Sequence, residues 1–216
     1  MEQLRQSEFD THVKSGTLRL AFVGMSNVGK SMRAKSLAQD CNFFHYNVDT
    51  HIADDLGFAD VRAIGKWLGY PDGSGYKERE KKYLELENLH TNLGILSTGG
   101  KSLVFDTTGS VVYLPDETTK WLKNNTLIVY LVIDKNNVEE MTERFFENIK
   151  PLIWGDMFVK EEGQSTEEAI RRSYPSLLHY RAEKYAGIAH LTIPADLFWN
   201  TNGIQVLDIV KQALPE

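Results

Sequence analysis

Gly24-Met25-Ser26-Asn27-Val28-Gly29-Lys30-Ser31 follows directly on the apolar run Leu18-Arg19-Leu20-Ala21-Phe22-Val23. The octet has the form G-x-x-x-x-G-K-[ST], the run before it has the length and composition of a buried strand, and residues 31–39 after it are compatible with helix. A glycine at each end lets the backbone curl, so that several N–H groups and the positive end of the following helix converge on a phosphate chain. In such a P-loop Lys30 reaches the β- and γ-phosphates and the Ser31 hydroxyl holds Mg²⁺. The plainer alternative is a glycine-rich turn that happens to end in lysine, and the strand before it and the helix after it weigh against that. A nucleotide with its metal is therefore the first expectation.

The rest of the composition narrows the class. A chain of 216 residues, 42% hydrophobic and 11% aromatic, can bury one substantial core, and one domain over residues 1–216 is expected. The net charge of −6, with Lys and Arg scattered, argues against a nucleic-acid partner. The single cysteine, Cys41, excludes an internal disulfide and a cysteine-built zinc site. The first sixteen residues are polar and lack the apolar centre of a signal peptide, and no run approaches the ~20 apolar residues of a membrane span. The expectation is a cytoplasmic, soluble protein that engages neither nucleic acid nor membrane.

Strand-like apolar runs recur at residues 18–23, 43–48, 103–105, 127–133 and 189–193. Between them, residues 77–96 and 138–149 read as helix, and Asn202 caps a closing helix marked by Ile204, Leu207 and Val210. Alternating β and α segments imply a parallel sheet covered on both faces. Two stretches interrupt the plan: residues 54–75 are too rich in glycine for one regular element, and residues 153–166 are long and polar. Beside a nucleotide site such loops serve as lids or substrate platforms, the alternative being surface connections with no role.

The order of motifs resembles the shikimate kinase family. Beyond the P-loop, Tyr46-Asn47-Val48-Asp49-Thr50-His51-Ile52 is similar to the family's second-strand motif, an aromatic followed by D-T-D, and Tyr76-Lys77-Glu78-Arg79-Glu80 is similar to F-R-x-x-E. Residues 103–112, with Thr108-Gly109-Ser110, fall where the family has an apolar strand ending in G-G-G. Lys150-Pro151-Leu152 resembles its lid motif R-P-L, and Arg181-Ala182-Glu183-Lys184-Tyr185 resembles R-x-P-L-Y. Residues 97–102, with Gly99-Gly100, also look like the triple glycine, but they read better as a helix-terminating turn. The P-loop is specific; the other motifs are individually weak and their order carries the resemblance.

What the resemblance implies is a three-layer P-loop NTPase fold, a five-stranded parallel sheet flanked by helices, with a substrate-binding region near residues 50–96 and a lid near 150–170. It assigns the phosphates to Gly24, Asn27, Val28, Gly29, Lys30, Ser31 and Met32, the adenine side to Arg144 and Asp196, and metal coordination to Ser31 with help from Asp49. Arg181 keeps the arginine that grips the substrate carboxylate. The departures fall on the acceptor side. The second aspartate of D-T-D is His51, the arginine of F-R-x-x-E is Lys77, which lacks the bidentate fork, only Gly109 survives of the triple glycine, and the lid arginine is Lys150.

On chemistry, His51 has a residue type suited to accepting a hydroxyl proton near neutrality, or is simply bonded at a strand end. Asp106, an acid ending an apolar strand, is placed to hold Mg²⁺, or else caps its own turn. Lys77 reads as a ligand or as part of a solvated helix face, and Trp67 and Tyr70 as pocket lining or local packing.

The reading is an ATP- and Mg²⁺-dependent kinase acting on a hydroxyl of a small, anionic metabolite, with Lys30, Asp49, His51 and Lys150 catalytic and His51, Lys77, Gly109 and Arg181 on the acceptor. Its rivals are a GTPase switch and a nucleotide-binding regulator that has lost catalysis. For the switch, Asp106-Thr107-Thr108-Gly109 spells D-x-x-G; against it, residues 133–137 do not spell the guanine-reading N-K-x-D.

Overall fold

The computed structural model describes residues 4–134 and 137–216. Residues 135 and 136, within the stretch compared with the guanine-reading motif, lie outside the described residues. Five parallel strands, β1 (Arg19–Val23), β2 (Phe44–Asn47), β3 (Leu103–Asp106), β4 (Leu127–Val132) and β5 (Leu191–Pro194), form one sheet in the order β2-β3-β1-β4-β5. The central strands are buried along nearly their whole length and apolar but for Arg19 and Asp106 at their ends, because helices cover both faces, as a parallel sheet requires. In register, Phe22 of β1 lies beside Asp106 of β3 and Val129 of β4. The carboxyl ends of the three middle strands therefore rise to one edge, where ligands bind in open α/β sheets.

Helix α1 (Gln6–Ser15) precedes the sheet, and α2 (Lys30–Cys41) packs on β2, β3 and the closing helix α9 (Gly203–Gln212). On the other side, α5 (Tyr76–Leu96) packs on α6 (Asp116–Asn125), which meets α8 (Thr166–Ile188) and β4. Helices α3 (Val48–Leu56) and α4 (Val61–Leu68) stack against α5 at the sheet edge, and α7 (Val138–Glu147) packs on α8. The capping expected at Asn202 is present, since its side chain accepts from the Gln205 N–H.

Two local expectations are corrected. The run at 43–48 does not stay extended to its end: Asn47 accepts from the Thr50 N–H at 2.8 Å, so Val48 and Asp49 open helix α3. The glycine-rich 54–75 stretch is not wholly irregular either. Asp60 caps α4 through the Ala63 N–H at 2.8 Å and Gly69, at φ 70°, ends it, so that Ile64 and Leu68 form a buried apolar stripe. The 153–166 stretch has no regular element before Thr166 opens α8, yet Ile153 and Trp154 are fully buried. Its distal part is mostly exposed and is tied to Asp72 by a Lys160–Asp72 pair at 2.6 Å.

Candidate nucleotide and acceptor site

The turn after β1 dictates the site. Gly24 has φ 142° and a Cβ there would stand 3.0 Å from the Leu131 carbonyl oxygen; Gly29 has φ 97° and a Cβ there would run into the Arg33 guanidinium. Both positions disfavour a side chain by conformation, and at Gly24 the neighbouring backbone adds a limit of space. Lys30, the first residue of α2, is buried, and its ammonium donates to the carbonyl oxygens of Gly24 at 2.8 Å and Met25 at 2.9 Å, folding the loop over its own lysine. Burial pushes that ammonium below its usual pKa, against the pull of Asp106 and Asp49.

A cleft of about 790 Å³ opens above this loop. Ser31, Asp49, His51, Gly109, Arg144 and Lys150 all line it together with Lys30, so most of the sequence-marked residues from five separate segments converge. A second cavity of about 620 Å³ adjoins it, sharing Asn27, Gly29, Met32 and Arg144 and holding Val28, Asp196 and Trp199.

Asp49 lies deep, with only its cleft face open, and accepts from the Tyr83 hydroxyl at 3.2 Å. Burial and the nearby Asp106 charge raise its pKa to about 6. His51 stacks on Tyr46 at 4.3 Å and on His90 at 5.3 Å, and His90 in turn pairs with Asp55 at 2.8 Å. Burial and the neighbouring His90 hold the His51 imidazole below its usual pKa, so it is neutral at pH 7. Asp106 is buried behind the cleft, where its carboxylate accepts from the Asn47 amide and faces His45 Nε2 at 3.4 Å. Among the described residues, no group of three or more His, Cys, Asp or Glu forms a metal cage. Mg²⁺ asks for less, because nucleotide phosphates complete its shell around one or two protein oxygens, and Ser31 and Asp49 are hard oxygen donors of that kind.

Two residues expected at the acceptor do not line the cleft. Lys77 is 70% exposed on α5, pairs with Glu80 at 3.1 Å and does not line the cleft. Arg181 is 1% exposed and faces inward: it donates to the Gly109 carbonyl at 2.8 Å and to the Ile153 carbonyl, and lies over the Tyr113 ring at 5.1 Å. Its charge is spent on backbone carbonyls, where a long cationic side chain in the core must find acceptors.

Several contributors escaped the motif reading. Asn148 exchanges amide bonds with Asn27, donating at 3.0 Å and accepting on its carbonyl at 3.3 Å, and its side-chain oxygen accepts from Arg62 at 3.2 Å. It thereby ties the P-loop to α4 and to the segment carrying Lys150. Glu87 is fully buried on α5 beneath Thr108 and Ser110, with its pKa raised by burial to about 7. A signal existed: Tyr76, Tyr83, Glu87, His90 and Gly94 share the buried face of α5, so its inward stripe is partly polar.

A family model described as shikimate kinase matches residues 26–184. Among solved structures, a shikimate kinase from Acinetobacter baumannii in complex with shikimate is 20% identical, with a TM-score of 0.60 over 94% of this chain and 95% of that one. A shikimate kinase from Bacteroides thetaiotaomicron is 16% identical, with a TM-score of 0.61 over 90% of this chain and 97% of the other. The comparison with curated proteins gives no match.

Proposed function

The chain belongs to the shikimate kinase family, and on that premise we propose that it transfers the γ-phosphoryl group of ATP, with Mg²⁺, to a hydroxyl of a small metabolite. The observation that carries the reading is the convergence of Lys30, Ser31, Asp49, His51 and Lys150 on one cleft above the P-loop. Phosphoryl transfer asks mainly for positioning and charge neutralisation, and these residues supply both. Lys30 leaves its two carbonyl partners for the triphosphate and balances charge on the transferred group. Ser31 and Asp49 would hold Mg²⁺, which would supply charge neutralisation at the phosphate oxygens, while Asp106 adds negative potential from behind. The acceptor oxygen bonds to phosphorus as the bond to the β-phosphate bridging oxygen breaks. The hydroxyl proton passes to neutral His51, whose stack on Tyr46 and His90 fixes its ring plane. Lys150 adds a further cation to the cleft, and Arg144 and Asp196 border the cavity for the nucleoside.

With Lys77 and Arg181 off the cleft, an anionic acceptor is met by Lys150, and the walls facing its hydroxyls are His45, Asn47, Thr50 and His51. A coupled ADP-production assay over hydroxy acids, polyols, sugars and nucleosides, shikimate included, tests the reading. ADP release stimulated by one class and absent in Lys30→Ala is the expected result. Nucleotide binding with no stimulation by any acceptor favours the regulator instead, and no binding of MgATP or MgGTP overturns the nucleotide site itself.

A further inference from the structure

The 107–110 segment leaves β3 beside the P-loop, and Thr107 and Gly109 line the cleft. A Cβ on Gly109 would meet the Ser26 hydroxyl at 3.0 Å and the Arg181 guanidinium at 3.3 Å, so the segment is wedged between the P-loop and α8. Its side chains all turn inward. Thr107 donates to the Phe22 carbonyl at 2.7 Å, Thr108 donates to one oxygen of Glu87, and Ser110 donates to the other at 2.5 Å. The Ser110 N–H closes the turn on the Thr108 hydroxyl at 3.2 Å. From the opposite side, Arg181 and Tyr185 both donate to the Gly109 carbonyl and both approach the sulfur of Met25 in the P-loop.

The segment is thus gripped by groups of opposite character. A carboxylate collects the two hydroxyls flanking Gly109, and a guanidinium and a phenol collect its carbonyl. A fully buried carboxylate costs desolvation that an apolar residue of similar size avoids, so overall stability does not explain Glu87. Its two bonds do explain it, because they fix a loop whose residues carry side chains where a glycine triplet has none. Tyr83, one turn earlier on α5, donates to Asp49, so the same helix face sets a second cleft residue.

We propose that Glu87 is a positioning residue for the cleft: by accepting from Thr108 and Ser110 it presets residues 107–110 against the P-loop before any ligand arrives. The inference rests on the nucleotide-cleft reading above. The test uses the full chain as wild type, Glu87→Ala, Glu87→Gln, Ser110→Ala and Lys30→Ala, and reads backbone amide exchange together with MgATP affinity by calorimetry. Glu87→Ala is expected to speed exchange in residues 107–111 and to weaken MgATP ~10-fold, the scale of losing hydrogen bonds to a buried charged group. Glu87→Gln, an isostere that still bonds both hydroxyls, is expected to stay within ~3-fold of wild type. Wild-type exchange at 107–111 in Glu87→Ala overturns the proposal, as does a rise shared equally with β1 and β4, or a failure of glutamine to rescue. Should Glu87→Ala not fold, Ser110→Ala removes one of the two bonds, and unchanged exchange there is equally fatal. If Lys30→Ala leaves MgATP affinity unaltered, the nucleotide reading falls while exchange at 107–111 still decides the clamp.

Discussion

The P-loop half of the cleft and the acceptor half are built on different principles. Around Gly24 to Ser31 the geometry is made by backbone: two glycine positions that disfavour a side chain, a lysine bonded to main-chain carbonyls, and a helix starting at Lys30. Around Asp49, His51 and residues 107–110 it is made by side chains held by other side chains, through Tyr83, Tyr46, His90 and Glu87. Backbone-made geometry tolerates little sequence change and so keeps its motif. Side-chain geometry can be rebuilt residue by residue on the same frame, which is where this chain departs from the family pattern.

The largest effect that separates the halves belongs to Lys30. Lys30→Ala is expected to lower phosphoryl transfer by ~10³-fold or more, because the developing charge loses the buried ammonium of the P-loop. Single-turnover ADP release measures it. A loss under ~10-fold would mean that the acceptor half, through Lys150, does most of the neutralisation, and the division would fail.

Arg181 tests the same division from the other side. As a carboxylate ligand it would mainly set acceptor KM; as an internal strut it sets stability. Arg181→Ala is expected to cost about 3 kcal/mol, seen as a fall of about 10 °C in the unfolding midpoint, since in a buried site Ile153 loses the guanidinium donor and Gly109 loses one of its two donors. Thermal unfolding with and without MgATP checks this. A stable variant with only a raised acceptor KM would return Arg181 to the substrate.

The acidic pair gives a smaller, pH-dependent effect. Asp49 at about 6 and Glu87 at about 7 both stand above their ordinary values, mainly through burial. In each case the folded state binds a proton that the unfolded chain has already released. Their contribution is therefore full below the ordinary carboxylate range and is lost as pH rises through about 6 and about 7. Glu87→Gln, which cannot ionise, is expected to gain a few degrees of midpoint on wild type between pH 5 and pH 8. Parallel curves for the two proteins would show that Glu87 does not titrate in this range.

How much of this was legible follows from the same contrast. The strand, the P-loop and the helix after it could be read because they obey local rules of period and turn chemistry within a dozen residues. The sheet, the closing helix and the family resemblance followed from the order of such segments. Helix α4 was hidden because its glycines suggested a loop, although Asp60 before Val61 was a usable cap signal. Glu87 was hidden because a glutamate in a charged helix ordinarily faces water; only the partners brought from residues 108 and 110 turn it inward. The contacts of Arg181 to the Gly109 and Ile153 carbonyls were not legible, since a motif fixes a residue's place in the chain but not which way its side chain points.

Lys77 carries the smallest expected effect and the sharpest wording of the comparison. The motif resemblance sets it against an acceptor-side arginine, yet its ammonium is exposed and pairs with Glu80 three residues on, a surface pair of little energetic weight. Lys77→Ala is therefore expected to change acceptor KM by less than ~2-fold and to leave the unfolding midpoint alone. Steady-state kinetics with the acceptor found in the panel decides it. A rise of ~10-fold in KM at constant kcat would require α5 to bring Lys77 to the bound acceptor. The acceptor half would then be completed by closure around the ligand, where the P-loop half is complete before it binds.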